Sequence, residues 1–395
     1  MNTQLYPLDY PQIAESGSSA LEQAIKDVQK EAKLTAIRNG LSRLIAGQGL
    51  ARNQGYAVPS YGIPLPANKV GVIQAPLRFR GTKGYFVGGN NYVSGILNGT
   101  SINSITFASE IVRALSTHLT EERQWPGTTG SRKSGYAAGG WGDRLTSTTR
   151  SCDRIDYLGD VALRLGINLS ETKFMVSAIG SRFFGYFAGG LVQWATTSRF
   201  VDRISYTDPE IVEPKGNALT TARACGLDSA GTPTKGYYFG GAVYGALGWS
   251  PLFSIETITF AGEVFAVLAR SLSWAHVGHA TGGNERRALI IGGWSSTISW
   301  FSDSENVTEF LFATEVPTLL GKLLSISTTA ACAPSTSVSC YAGSGMLPIG
   351  SAPANVFKIE KFNFEPVAKV PFGVRLAVPT PEAAALSDYG ATFSF

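Results

Sequence analysis

The dipeptide Gly-Gly recurs down this chain at a near-constant interval, each time closing a short apolar run. The copies read Gly84-Tyr-Phe-Val-Gly-Gly89, Gly135-Tyr-Ala-Ala-Gly-Gly140, Gly185-Tyr-Phe-Ala-Gly-Gly190, Gly236-Tyr-Tyr-Phe-Gly-Gly241 and Ala288-Leu-Ile-Ile-Gly-Gly293, with a degenerate sixth in Ser339-Cys-Tyr-Ala-Gly-Ser-Gly345. The first glycines fall at Gly88, Gly139, Gly189, Gly240, Gly292 and Gly343, in steps of 50 to 52 residues. So regular a ladder marks a repeated unit that cannot bury its apolar face alone and must stack on its neighbours.

Each copy is followed by a run in which apolar and polar residues alternate, the pattern of a half-buried strand. These runs are Ser104–Phe107, Arg154–Tyr157, Arg203–Tyr206, Thr257–Phe260, Glu309–Phe312 and Lys358–Phe362, and each leads to an acidic residue in a turn: Glu110, Asp160, Glu210, Glu263, Glu315 and Glu365. A third run follows, such as Ile111–Leu115 or Val264–Leu268, and then a polar, small-residue segment leads to the next Gly-Tyr run. Four short strands in about 50 residues make one blade of a β-propeller. The diglycine is expected on a strand near the axis, where blades crowd and the backbone needs close approach and positive φ.

The apolar strand ending in Gly-Gly, with Tyr or Phe within it, resembles the kelch repeat over residues 67–395. It departs from kelch in lacking a regularly placed Trp on the fourth strand. The resemblance implies an all-β, kelch-like β-propeller.

Six units are visible, and the tail suggests how the ring closes. Pro371–Arg375 resembles Leu119–Arg123 and Ala218–Arg223, which precede diglycines by about 16 residues, and Tyr389–Phe395 follows Arg375 at a like distance. Lys69–Ile73 and Pro76–Arg80 offer outer strands at the other end. A blade shared between the termini would leave no exposed edge at the join. Seven blades with a shared last blade is therefore the expected count, and six blades with a docked tail is the alternative.

Residues 1–47 read as an arm. Ser19-Ala-Leu-Glu22 is a capping box, and Leu21, Ile25, Val28 and Ala32 form one apolar stripe of an amphipathic helix. Such a helix is marginal alone in water. Its stripe is expected to dock on the propeller itself or on a neighbouring subunit. Residues 48–66 read as a linker. The N-terminus has no basic segment followed by an apolar core, so no signal peptide is expected.

Hydrophobic residues are 44% of the chain and charged residues 16%, which excludes a disordered chain. No run of about 18 apolar residues occurs, so no membrane span is expected. A net charge of +4 gives no reason to expect nucleic acid. Cys152, Cys225, Cys332 and Cys340 form no C-x-x-C pair and read as buried small residues.

The chain carries no common catalytic or metal signature, and no cofactor, metal site or catalytic residue is assigned. His276 and His279, three apart, would point to opposite faces of a strand and read as structural. Asp153 and Asp202 occupy equal places in successive units, which speaks for a blade-to-blade or turn role. The remaining candidates are aromatic. Tyr92, Trp141, Trp194, Tyr244 with Trp249, and Trp294 with Trp300 follow five of the diglycines, in loops that a propeller presents on one end. Rings of this kind stack on sugars, anchor interfaces, or simply pack between blades.

The Gly-Tyr-x-x-Gly-Gly pattern is also similar to repeat proteins of bacteriophage tails and fibres. That likeness implies a non-enzymatic virion structural protein, located in the phage tail and forming homo-oligomers there. Its N-terminal helix would dock to other tail subunits, and its propeller would act as a platform or a host-glycan-binding module. A kelch-type protein-interaction adaptor is the alternative, and a carbohydrate-active enzyme ranks below it.

Overall fold

The structure is a computed structural model. It describes residues 81–395 apart from 90–98, 143–147, 225–228, 247, 296–304, 326, 330, 344, 346–356, 379, 381 and 389–395. The expected helix stripe Leu21, Ile25, Val28 and Ala32, the linker, and the runs 69–73 and 76–80 lie outside the described residues. The chain divides into two units, Met1–Arg78 and Phe79–Phe395. The second is an all-β propeller of six blades, with no helix among its described residues.

Each blade is an antiparallel sheet. Blade 2, from inside to outside, runs Gly127–Gly130, Ser134–Ala138, Ser151–Asp156 and Val161–Asn168. Blade 3 repeats this as Ser177–Gly180, Phe184–Ala188, Val201–Ser205 and Val212–Gly216. Blade 4 uses Ser229–Gly231, Lys235–Phe239, Ser254–Thr259 and Val264–Ser271. Blade 5 uses Ala280–Gly283, Arg287–Ile291, Asn306–Leu311 and Val316–Lys322. In blade 6, bridges from Cys332 to Gly343 and from Ser335 to Cys340 line up an inner segment beside Ser339–Ala342, Glu360–Phe364 and Val367–Val370.

The diglycine strand is thus the second strand of its blade, one place out from the axis. The innermost place belongs to the small-residue segment, which is the first strand of the following blade. Its composition explains why. Inner strands of blades 1 to 5 touch one another in succession, and they are built of Gly, Ala, Ser and Thr with few larger side chains. At Gly282 of blade 5, an added Cβ would lie 2.2 Å from Cys340 Cβ of blade 6.

Closure also differs from the expected count. Blade 1 comprises Ala384–Ser387, Lys83–Val87, Ile102–Thr106 and Ile111–Ala114, so the C-terminal strand is the innermost strand of the first blade. The termini do share a blade, but it is one of six. The tail match that suggested a seventh was out of register by five residues. Leu376, buried like Leu119, begins the true counterpart, which puts Thr380 and not the exposed Arg375 in the place of Arg123. From Thr380, as from Arg123, the next inner strand starts four residues on, and the chain ends shortly after it.

The apolar core is divided into wedges between consecutive blades. Tyr85, Val87, Leu119 and Ile155 fill the wedge between blades 1 and 2, and Cys152, Leu169, Val176 and Phe187 that between blades 2 and 3. Phe86, Ile105, Tyr341, Ile359 and Leu376 fill the closing wedge between blades 6 and 1. Cys152, Cys332 and Cys340 are buried within these wedges. Burial pushes the Cys152 thiol up to about 12, which leaves it protonated and inert.

At the closing strand, the Asp388 carboxylate accepts hydrogen bonds from the Thr82 N–H at 2.7 Å and the Lys83 N–H at 3.1 Å, and from the Thr82 hydroxyl. Bonds to an ionised acceptor contribute about 1.5–3 kcal/mol. Asp388→Ala is therefore expected to destabilise the propeller by about 2 kcal/mol in chemical denaturation, and deletion of 384–395 to cost far more by reopening blade 1.

Candidate functional site

Two belts of residues hold the blades together, one at each end of the ring. Both are written into the repeat.

At the end where the second strand begins, each Gly-Tyr explains itself. Tyr85, Tyr136, Tyr186 and Tyr237 lie against the aromatic residue that ends the third strand of the next blade. Tyr85 stacks on Tyr157 at 5.2 Å between centroids, Tyr136 on Tyr206 at 5.2 Å, Tyr186 on Phe260 at 5.7 Å and Tyr237 on Phe312 at 5.4 Å. The glycine before the tyrosine gives room to its own blade's aromatic residue: a Cβ on Gly84 would lie 2.7 Å from Phe107. Each tyrosine hydroxyl then donates to the acidic turn residue of the next blade. The distances are 2.7 Å from Tyr85 to Asp160, 2.7 Å from Tyr136 to Glu210, 3.0 Å from Tyr186 to Glu263 and 2.9 Å from Tyr237 to Glu315. A cation joins each pair, as Lys83 does at Asp160 (2.7 Å) and Lys235 at Glu315 (2.5 Å). Tyr341 and Lys361 of blade 6 reach Glu110 of blade 1 at 3.1 and 2.5 Å, across the closing interface. Between blades 5 and 6, where Leu289 takes the tyrosine's place, Arg286 meets Glu365 at 2.9 Å. Burial raises the Glu315 pKa, but the bonds from Lys235 and Tyr237 outweigh it and hold the carboxyl below its ordinary value.

At the diglycine end, the second glycine of one blade donates its N–H to the carbonyl of a basic residue that leads into the next. Gly89 donates to Arg123 at 2.7 Å, Gly140 to Lys173 at 2.9 Å, Gly190 to Arg223 at 2.8 Å and Gly241 to His276 at 2.9 Å. The first glycine has to pass the same carbonyl at positive φ. A Cβ on Gly139 (φ 67°) would sit 2.6 Å from the Lys173 oxygen, and one on Gly189 (φ 66°) 2.3 Å from that of Arg223.

The basic side chains turn inward to their own blade. Arg123, fully buried, donates to the Gly139 and Ser151 carbonyls at 2.8 and 3.0 Å and pairs with buried Asp153 at 3.3 Å. Lys173 pairs with Asp202 at 3.1 Å, and Arg223 with Glu256 at 3.2 Å. Burial pulls the Lys173 and Arg223 pKa values down, opposed by their carboxylates. In blade 5 the pair becomes neutral: His276 meets the Gly292 carbonyl at 2.7 Å and the Thr308 hydroxyl at 2.8 Å. Burial lowers the His276 pKa to about 4, against the Gly292 carbonyl, which raises it. Asp153 and Asp202 thus join the end of one loop to a strand. Their signal lay in the basic residue four after Leu119, Leu169, Leu219 and Leu272, a recurrence that sequence reasoning caught only at Arg123 and Arg223.

The aromatic loop residues also gather at the diglycine end, as one cluster over blades 2 to 5. It contains Trp141, Trp249 and Trp294, all buried, together with Phe174, Met175 and Leu191, and half-buried Trp125 and Tyr244 pack on it. Trp125, Phe174 and Met175 were not foreseen, because they follow the basic residue and not the diglycine. Tyr92 and Trp300 lie outside the described residues. Trp194 differs from its equivalents in being 37% exposed. It lies over Trp125, Trp141 and Phe174 at centroid distances of 6.3, 5.0 and 4.6 Å. Among the described residues, no three His, Cys, Asp or Glu side chains form a group that could hold a metal ion.

No protein-family model matches the chain, and no curated protein matches it. The class established by the fold is a six-bladed β-propeller.

Two outcomes test the inner belt. Lys173→Met strands the Asp202 carboxylate in the interior and is expected to cost about 3–5 kcal/mol in denaturant unfolding. Adding Asp202→Asn should recover most of that loss. His276 stays neutral in the folded chain while the unfolded chain takes a proton below about pH 6.5, so its contribution is lost as pH falls from 6.5 to about 4. His276→Gln should flatten stability over that window by roughly 1.4 kcal/mol per pH unit relative to the unsubstituted chain.

Proposed function

We propose that this chain is a non-enzymatic structural protein of a virus particle, a bacteriophage tail, tail-tip or fibre component. In this reading residues 1–47 dock to other particle subunits, and the propeller is a rigid platform for host attachment. The observation that carries the reading is the use made of the repeated polar residues. Acid, base and tyrosine positions are consumed between blades, repeat after repeat, and the diglycine end carries a largely buried aromatic cluster from which Trp194 emerges. That is the economy of a scaffold that presents a face.

The kelch-like and phage-repeat resemblance of Gly-Tyr-x-x-Gly-Gly supports the same assignment. So do the low share of charged residues and the sequence of the first 47 residues, whose apolar stripe needs a partner surface. Copies arranged by the symmetry of a particle would turn weak contacts into avidity.

Purified particles should contain the chain in a fixed copy number per particle, measured by quantitative mass spectrometry. A chain lacking residues 1–47 is expected to keep the thermal transition of the propeller and to be missing from particles. Its undiminished incorporation would count against the attachment role.

A further inference from the structure

Trp194 stands on a turn that its sequence does not suit. The strands Leu191–Val192 and Thr196–Thr197 form a small hairpin beyond the diglycine of blade 3. The Ala195 N–H donates to the Val192 carbonyl at 3.0 Å, closing a tight turn. Both central residues, Gln193 and Trp194, have positive φ, 50° and 55°. This is the sign pattern of a type I′ turn, whose favoured sequence is Asn-Gly. A bulky side chain in the left-handed region is an outlier that costs about 1–3 kcal/mol, and such strain gathers at ligand-contact positions. The corresponding hairpin of blade 4, Ala242–Gly245 with Gly248–Pro251, places glycines on both sides of its turn. Blade 3 keeps a strained Gln-Trp where relaxed residues would build the same hairpin.

The strain presents a particular surface. Trp194 offers a partly exposed ring braced from behind by Trp125, Trp141 and Phe174. Gln193 and Thr196 lie beside it in the hairpin and are exposed, an amide and a hydroxyl without charge. The Trp141 indole N–H, in the same contact set, is buried with no hydrogen-bond partner among the described residues. None of these side chains carries a charge. A flat ring bordered by neutral hydrogen-bonding groups suits a ligand with an apolar C–H face and a rim of hydroxyls.

We propose that Gln193 and Trp194 form a binding site for a neutral hexose-type glycan, with the sugar face on the Trp194 ring and its hydroxyls on the Gln193 amide. The site deepens, and rests on, the host-attachment reading above.

The test uses the full chain and a panel of neutral hexose oligosaccharides with sialylated counterparts, followed by tryptophan fluorescence and by glycan array. The unsubstituted chain should bind at least one neutral oligosaccharide. The double substitution Gln193→Asn with Trp194→Gly should weaken that binding at least tenfold while leaving the melting temperature unchanged or raised, because it relaxes the turn. Binding only to sialylated glycans, binding to none, or equal binding by the variant would overturn the site. A variant that melts at lower temperature would make Trp194 a packing residue and overturn it too. Particle incorporation, measured separately, keeps the two readings apart. A chain that assembles but binds no sugar loses this site alone, whereas one that binds sugar but stays out of particles loses the attachment role alone.

Discussion

The contact on which the ring depends is the hydrogen bond from a diglycine N–H to the carbonyl of the basic residue entering the next blade. It brings two backbones so close that the first glycine of the pair could not readily carry a side chain, while the second is crowded by the entry segment of its own blade. It also fixes where the basic side chain begins, and so permits Arg123 and Arg223 to reach the first-glycine carbonyl of their own blade, Lys173 the Phe200 carbonyl, and all three a buried carboxylate. An unpaired carboxylate in such a place would cost several kcal/mol. The pair, once made, ties loop and strand into one unit.

The six wedges of core between blades supply the bulk of the burial, but burial is not directional. A wedge of Leu, Ile and Tyr would tolerate several angles between blades. The two polar belts do not. Tyr-to-acid bonds at one end and glycine-to-carbonyl bonds at the other fix both ends of every interface where they occur. Six blades rather than seven follow from the pairing of Ala384–Ser387 with Lys83–Val87, which makes that strand the innermost of blade 1 and closes the ring.

The repeat, its four strands and the acidic turns were legible in the sequence because each rests on local chemistry: alternation of apolar residues, glycine at crowded backbone, and acids in turns. Register was less legible. Gly343 looked like the first glycine of the sixth pair, yet Gly345, where an added Cβ would lie 3.0 Å from the Thr329 carbonyl, stands where Gly140 stands against Gln124. Arg375 resembles Arg123 in type alone, and Thr380 and Thr328 show that the position tolerates a neutral residue. The aromatic loops were legible as a group, but their exposure was not. Trp141 vanishes beneath Phe174 from the entry segment of the next blade and Trp294 beside Trp249 and Val277, whereas the Val192–Ala195 turn carries Trp194 outward.

By itself, then, the sequence determined that short strands would stack in repeated blades, because periodic glycines and alternating side chains act through neighbours close along the chain. Tertiary structure alone decided the number of blades, which strand lies at the axis, and which of the described loop tryptophans meets solvent. Those depend on contacts between residues some 50 to 300 apart, such as Tyr341 with Glu110 or Asp388 with Thr82. Their formation depends on closing the ring, and no stretch of the chain read alone contains that condition.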